Sequence, residues 1–294
     1  MLKDILRNGD SIVVPGSYDA LSALLAAEAG FKAIYLSGFG VAGSLLGKPD
    51  VGLVTAEQMV NTIGHVVEAA GDTPVIADGD NGYGDVSSVA KLVNAYEEAG
   101  AQCIQIEDQV SPKRCGHMDN KEVVDLDEAV SKIATSVQSR KSEDFLIMAR
   151  TDSRATHGLN EALRRGEAFL KAGADILFIE APASIEEMEI VKKEFPETVL
   201  VANMVEEGKT PVLKVSELSE MGYQIVLRPI SGLLAVVKTL KQSYSALLND
   251  DQDAIHAISR LTFQEYNKVI KPVSYTHLRA HETDSYLVCR LLLE

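Results

Sequence analysis

Short apolar runs alternate with longer amphipathic stretches along most of the chain. Eight runs rich in β-branched and other apolar residues predict strands: SIVVPGS, AIYLSG, PVIADGD, CIQIEDQ, FLIMARTD, ILFIEAP, VLVANM and IVLRPIS. Their nearly continuous apolar character is typical of strands that are buried on both faces. The pattern therefore predicts an α/β protein with a parallel sheet covered by helices.

The stretches between the runs have helical periodicity, and several of them end in Ala-Gly, a common helix terminus before a strand. Examples are YDALSALLAAEAG, VSSVAKLVNAYEEAG and LNEALRRGEAFLKAGA. Eight such βα units in 294 residues predict a (β/α)₈ TIM barrel with C-terminal helices, and a doubly wound open sheet is the alternative. No linker separates a second domain, so we expect residues 1–272 to form one barrel domain.

The last segment of the chain has an unusual composition. Residues 273–294 read VSYTHLRAHETDSYLVCRLLLE and follow a helical pattern that stops without a cap. The stretch resembles the translation of a sequencing-library adapter, and a genuine C-terminal helix is the alternative. We interpret it as a non-native tail that replaces the end of a truncated barrel protein, and its histidines and cysteine are excluded from the site analysis.

The formal net charge of −15 disfavours nucleic acid and anionic membranes as partners, although solubility alone also accounts for it. No apolar run approaches the length of a membrane span, and the first ten residues predict an amphipathic helix rather than a signal peptide. Three widely spaced cysteines give no disulfide framework. These features predict a cytoplasmic protein.

Polar side chains occur at the carboxyl ends of seven predicted strands. They are Tyr35 and Ser37, Asp78 and Asp80, Glu107, Arg150 and Asp152, Glu180, Asn203, and Ser231. In a barrel these positions converge on one mouth, where active sites are built. Helix capping explains one such residue more easily than seven, so the pattern predicts a site.

Four carboxylates lie at two neighbouring strand ends. Asp78 and Asp80 have the i, i+2 spacing that puts both side chains on one face of a strand, and the next strand adds Glu107 and Asp108. Such a cluster repels itself without a cation, and oxygen ligands suit Mg²⁺. A polar turn rich in Asp, Asn and Gly is the alternative interpretation.

Two further strand ends suggest anion binding. Arg150 offers a two-pronged donor for a carboxylate or phosphate, unless it pairs with a neighbouring acid. Ser37 and Gly38 could donate hydroxyl and backbone N–H groups to a second carboxylate, although on these residues alone a plain βα turn is the better explanation.

Cys115 stands in the segment KRCGH, between basic residues and His117. Cationic neighbours lower the pKa of a thiol, and the segment has neither zinc-ligand spacing nor a resolving cysteine. An acid–base or nucleophilic thiol remains, and an inert exposed thiol is the alternative.

Long motifs across residues 1–270 resemble those of the isocitrate lyase/phosphoenolpyruvate mutase superfamily. They include YLSGFGVAGSLLGKPDVGLVTAEQM, ADGDNGYG, IEDQVSPKRCGH, ARTDS, IEAP and NMVEEGKTP. The resemblance implies a (β/α)₈ barrel, a Mg²⁺ cofactor with Mn²⁺ as a substitute, and a tetramer of helix-swapped dimers. The Cys115 segment is similar to that of the carbon–carbon lyase branch.

The resemblance also implies roles for individual residues. It assigns Asp78, Asp80 and Glu107 to the metal, Cys115 to the general acid, and Arg150 to charge stabilisation. His117 accompanies Cys115 in the catalytic segment, and Tyr35 is a weak candidate for the base. The residues implied to surround the substrate are Ser37, Gly38, Phe39, Asp50, Gly116, Glu180, Asn203 and Ser231.

The implied activity is cleavage of a 2-hydroxy dicarboxylate, a 2-alkylmalate such as 2,3-dimethylmalate, to a 2-oxo acid and a short carboxylic acid. Methylisocitrate lyases carry an arginine where this chain has Leu234, a glycine at Phe39 and a threonine at Val205, which indicates a substrate with one carboxylate fewer. The alternatives are cleavage of the tricarboxylate 2-methylisocitrate and hydrolysis or decarboxylation of oxaloacetate. A non-catalytic binding protein on the same barrel is the alternative of another class.

Overall fold

The computed structural model describes residues 1–116 and 121–270. The chain divides into two compact units, Met1–Val236 and Val237–Glu294. His117 and the tail of residues 273–294 lie outside the described residues. The expectation of one domain over residues 1–272 therefore stays a prediction.

The first unit contains a closed barrel in which the strands follow one another in chain order and β1 pairs with β8. Every neighbouring pair is parallel. The strands are β1 Ile12–Ser17, β2 Ile34–Leu36, β3 Val75–Asp78, β4 Cys103–Glu107, β5 Leu146–Thr151, β6 Ile176–Ile179, β7 Val199–Asn203 and β8 Ile225–Arg228. The predicted barrel is confirmed, and closure through β1 and β8 rules out the open sheet.

A helix precedes β1, and one or more helices follow each strand. They are α1 Leu2–Arg7, α2 Ala20–Glu28, α3 Gly38–Val41, α4 Ala56–Ala70, α5 Val86–Glu98, α6 Leu126–Ser139, α7 Ser153–His157, α8 Leu159–Lys171, α9 Ile185–Glu194, α10 Val215–Met221 and α11 Ser231–Leu248. A π-helix, Ala42–Leu46, continues α3. The second unit contains residues 237–248 of α11, together with α12 Gln252–Ala257 and α13 Phe263–Ile270.

Alternation along the strands divides the buried residues into two clusters. Cys103, Met148 and Phe178 belong to the cluster inside the barrel, whereas Ile104 and Ile147 pack between strands and helices. Since every second residue of a strand points to the same face, the inward series continues to the carboxyl ends. It ends in Asp78, Glu107, Arg150, Glu180 and Asn203. The fold thus brings these predicted site residues to one mouth.

Barrel closure depends on a close backbone contact at Gly16 of β1. A Cβ atom at this position would lie 1.8 Å from the carbonyl oxygen of Pro229, just after β8. We expect Gly16→Ala to lower the free energy of unfolding by about 2–3 kcal/mol, because backbone must move to admit the methyl group. Gly64→Ala, in α4 with no atom within 4 Å of its Cβ position, is the matched control.

Urea denaturation of both variants checks this prediction. The control should be as stable as the parent or gain up to about 1 kcal/mol, since alanine is the better helix former. Equal stability of Gly16→Ala and the parent would show that the contact at Pro229 yields without cost.

Candidate active site

A cavity of about 280 Å³ opens at the carboxyl ends of the strands. The predicted residues that line it are Tyr35, Ser37, Phe39, Asp50, Asp78, Glu107, Cys115, Gly116, Arg150 and Asn203. Among the described residues to which the family resemblance gave a role, four are outside this lining, namely Gly38, Asp80, Glu180 and Ser231. Each of these four residues contacts a lining residue through a hydrogen bond or an ion pair.

Lys113 is the centre of a buried charge cluster on one side of the cavity. Its Nζ lies 2.6 Å from Asp50 Oδ1 and 2.7 Å from Asp80 Oδ1. Burial opposes the ammonium charge, but the surrounding carboxylates outweigh it and raise the pKa of Lys113 well above its ordinary value. Burial, only partly offset by Lys113, raises the pKa of Asp80 to about 6. Sequence reasoning treated Lys113 only as a neighbour of Cys115 and missed this contact.

Asp78 is held by donors from three elements. Its Oδ1 accepts from Gln105 Nε2 and from the backbone N–H of Asp80, each at 3.1 Å. Its Oδ2 accepts from the backbone N–H of Gly38, also at 3.1 Å. The N–H of Gly38 is therefore directed at Asp78; a substrate carboxylate was one of the two interpretations that the sequence left open for this residue.

Glu107 adds a buried carboxylate whose Oε1 accepts no hydrogen bond from the described residues. Burial raises the pKa of Glu107 well above its ordinary value, although Arg150 opposes the shift. Within residues 1–116 and 121–270, no group of three or more Asp, Glu, His or Cys side chains is arranged to hold a metal ion. Mg²⁺ typically takes one or two carboxylates and keeps several waters. Of the three predicted ligands, Glu107 has the oxygen without a hydrogen bond that fits this demand, whereas Asp78 and Asp80 have protein partners among the described residues.

Arg150 of β5 lies among three carboxylates. Its Nε and Nη2 donate to the two oxygens of Asp152 at 2.9 and 3.1 Å. Glu107 and Glu180 lie 3.4 and 3.5 Å from the guanidinium, which also stacks 5.0 Å from the centroid of Phe178. The sequence left two roles open for Arg150, anion binding and pairing with a neighbouring acid. The structure shows the pairing, and Arg150 also lines the cavity.

Tyr35 and the two predicted serines have protein partners. The hydroxyl of Tyr35 donates to Gln105 Oε1 at 2.9 Å, and burial raises its pKa well above the ordinary value. A phenol that stays protonated is a better donor than base, which disfavours Tyr35 as the proton acceptor. Ser37 caps α3 by accepting from the N–H of Gly40 at 3.4 Å, and Ser231 hydrogen-bonds Glu206.

Cys115 is half-buried and lines the cavity, whereas Cys103 is buried inside the barrel. Arg114, the residue before Cys115, is held by the side chain of Gln109. This side chain donates to the carbonyl of Arg114 at 2.8 Å and accepts from the N–H of Arg114 at 3.0 Å. A Cβ atom at Gly116 would lie 2.3 Å from Arg150 Nη2. Residues 113–116, which we call the thiol segment, therefore pass directly over Arg150, and only glycine at position 116 permits this approach.

One part of the cavity wall is apolar. It is formed by Phe39, Val205, Leu227, Pro229 and Ile230. These residues come from α3, from the segment after β7, and from β8 and the segment after it; the segment after β7 also brings Glu206 and Glu207 to the cavity. The cavity thus offers both ionic partners and an apolar surface for a hydrocarbon group.

The sequence profile described as phosphoenolpyruvate phosphomutase matches residues 2–248. The chain belongs to this family. It is 45% identical over 269 residues, 92% of each chain, to the 2,3-dimethylmalate lyase of Eubacterium barkeri.

Solved structures of the family superpose on nearly the whole chain. A crystal structure of 2,3-dimethylmalate lyase has a TM-score of 0.89 and 37% identity, and the match covers 96% of this chain and 94% of that one. A phosphonopyruvate hydrolase in complex with oxalate and Mg²⁺ has a TM-score of 0.83 and 26% identity, with 95% and 96% coverage.

These findings confirm the predicted superfamily and the predicted class of enzyme, a carbon–carbon lyase. The named activities of these homologues are consistent with a small carboxylate substrate. In the part of the chain that the structure describes, none of the helices combines the length and apolar character needed to cross a bilayer.

Proposed function

We propose that this protein is a Mg²⁺-dependent lyase that cleaves a 2-alkylmalate, such as 2,3-dimethylmalate, to pyruvate and a short carboxylic acid. The observation that carries the proposal is the placement of Cys115 and Arg150 on one cavity whose lining combines an acidic cluster with an apolar wall. The high identity to a 2,3-dimethylmalate lyase over 92% of the chain supports the same substrate class.

Asp78, Asp80 and Glu107 are the residues that would hold Mg²⁺, with Mn²⁺ as a substitute. The buried Glu107 Oε1, which accepts no hydrogen bond from the described residues, supports this assignment. When bound, the ion supplies Lewis-acid stabilisation of developing negative charge on substrate oxygens. Solved relatives of the chain include an enzyme with oxalate and Mg²⁺.

Side chains of the protein carry out the remaining chemical steps. A carboxylate of the acidic cluster or a water accepts the substrate hydroxyl proton. Cleavage of the C2–C3 bond then gives pyruvate and leaves the electron pair on C3, conjugated with the adjacent carboxylate. Arg150 stabilises the anionic groups, and the Cys115 thiol donates its proton to C3 and becomes a thiolate. The apolar wall of Phe39, Val205 and Ile230 binds the methyl groups. From 2,3-dimethylmalate the second product is propionate.

Turnover of a substrate panel tests the proposal. With Mg²⁺ we expect pyruvate release from 2,3-dimethylmalate to exceed turnover of 2-methylisocitrate, isocitrate, oxaloacetate and phosphonopyruvate by at least about tenfold in kcat/KM. EDTA should abolish the reaction, and added Mg²⁺ or Mn²⁺ should restore it. Preference for 2-methylisocitrate or oxaloacetate would move the assignment to the tricarboxylate lyase or to oxaloacetate hydrolysis or decarboxylation.

We further propose a cytoplasmic protein that assembles as a tetramer from helix-swapped dimers, as the family resemblance implies. Size-exclusion chromatography with light scattering measures the mass in solution. A monomer would contradict the proposed assembly without bearing on the proposed reaction.

A further inference from the structure

Lys121 is a buried lysine that does not belong to the cavity lining given above. Its side chain is 1% exposed. Its Nζ donates to Asp152 Oδ1 at 2.6 Å and to the carbonyl oxygen of Gly116 at 2.5 Å. The ammonium thus joins the residue after the thiol to the carboxylate that pairs with Arg150.

The Asp152 end of this contact is firmly anchored. Asp152 is fully buried, and its carboxylate accepts both donors of Arg150. Its backbone N–H donates to Asp108 Oδ1 at 2.9 Å. Asp108 Oδ2 in turn accepts from Thr151 Oγ1 at 2.6 Å and from Arg165 Nη1 at 3.1 Å. A hydrogen-bonded network from β4, β5 and α8 therefore fixes the point to which Lys121 attaches.

The Gly116 end lies on a loop outside the regular elements. Gly116 packs against Arg150 and Glu180 so closely that a Cβ atom would lie 2.3 Å from Arg150 Nη2. Its neighbour Cys115 lines the cavity. A donor that holds the carbonyl of Gly116 therefore restrains the position of the Cys115 thiol as well.

We propose that Lys121 is a positioning residue that fixes the Cys115 thiol relative to Arg150 by tying the carbonyl of Gly116 to Asp152. The inference rests on the proposed function for the role of Cys115 as proton donor. Proton transfer to carbon needs the donor within hydrogen-bond reach of the reacting atom, and a shift of about 1 Å can cost about 100-fold in rate. Lys121 acts through other residues and needs no contact with the substrate.

A matched control is available in Lys132 of α6. Its side chain is 6% exposed and pairs with the exposed Glu128 at 3.2 Å, one turn away on the same helix. Lys132 thus shares with Lys121 the burial of a lysine and an acidic partner. The partner of Lys132, Glu128, is exposed on the same helix. Lys121 instead contacts Gly116 in the thiol segment and Asp152, the acid that pairs with Arg150.

The test compares Lys121→Met and Lys132→Met in the full chain. In D₂O, cleavage of 2,3-dimethylmalate places one deuterium on C2 of propionate, and a fixed donor gives one enantiomer. We expect Lys121→Met to lower kcat about 10–100-fold with less than a threefold change in KM, and to give partly racemic product. A second readout is independent of turnover: the rate at which iodoacetamide alkylates Cys115, measured on its peptide by mass spectrometry, should change at least threefold. Lys132→Met should match the parent in all of these quantities.

Parental kcat, product chirality and alkylation rate in a folded Lys121→Met would overturn the proposal, and so would equal effects of both substitutions. If the parent cleaves no alkylmalate, the proposed function fails, while a changed alkylation rate in Lys121→Met alone still supports the positioning role. If Lys121→Met does not fold, Lys121→Gln provides the same comparison, because its amide can still donate one hydrogen bond.

Discussion

Cys115→Ser is expected to lower kcat for alkylmalate cleavage by about 10²–10⁴-fold, the range that a positioned proton donor contributes. The substitution replaces sulfur by oxygen at a half-buried position and leaves the backbone of the thiol segment in place. A serine hydroxyl is a far weaker acid than a thiol, so proton delivery to the carbanion slows while binding of the dicarboxylate persists. Steady-state kinetics should therefore show a large fall in kcat and a small change in KM.

Cys103→Ala is the control for this substitution. Cys103 is fully buried inside the barrel, and burial raises the pKa of its thiol well above the ordinary value, so it stays neutral. Its replacement should reduce stability slightly and leave kcat unchanged. Parental turnover by Cys115→Ser would show that the thiol is not the acid, and oxaloacetate decarboxylation or hydrolysis would then become the better proposal.

Arg150→Met is expected to remove activity and to destabilise the fold by about 3–5 kcal/mol, the usual cost of removing one partner from a buried ion pair. The guanidinium contacts Asp152, Glu107 and Glu180, and methionine leaves these carboxylates without their shared cation. Denaturation in urea measures the stability loss, and pyruvate release measures the activity.

Arg154→Met is the matched control, because Arg154 makes a two-pronged pair with Glu187 at 2.8 Å that is partly open to solvent. The loss there should stay within about 1 kcal/mol, as for other surface pairs, and the activity should persist. Equal destabilisation by the two substitutions would mean that the carboxylates around Arg150 are protonated or hydrated in its absence.

The barrel could be predicted from the sequence because its signals are local. Each strand is a short apolar run between polar turns, and each run appears in the structure as a strand. The period of two along a strand then determines which residues face the mouth, so Asp78, Glu107 and Arg150 could be named in advance. The Ala-Gly helix ends are also local features.

The remaining parts of the site depend on contacts that no local pattern encodes. Lys113 and Lys121 lie on a loop, where no periodicity indicates a direction, and their acidic partners are far away in sequence. The interpretation of Gly38 as a substrate donor overlooked a carboxylate 40 residues away. Of the apolar wall, Phe39 was named through the family resemblance, whereas Pro229 and Ile230 become neighbours of Phe39 only when the barrel closes.

The apolar wall of the cavity has a consequence for evolution. Under the proposed function, bond breaking depends on side chains of β3, β4 and β5 and the segments after them, where the acids and Arg150 hold one another in place. Phe39, Leu227 and Ile230 line the same cavity and make none of these ion pairs. Substitutions at these apolar positions could therefore exchange one carbon skeleton for another without disturbing the ion pairs. A single ancestral barrel could in this way give rise to lyases and hydrolases that differ mainly in the molecules they accept.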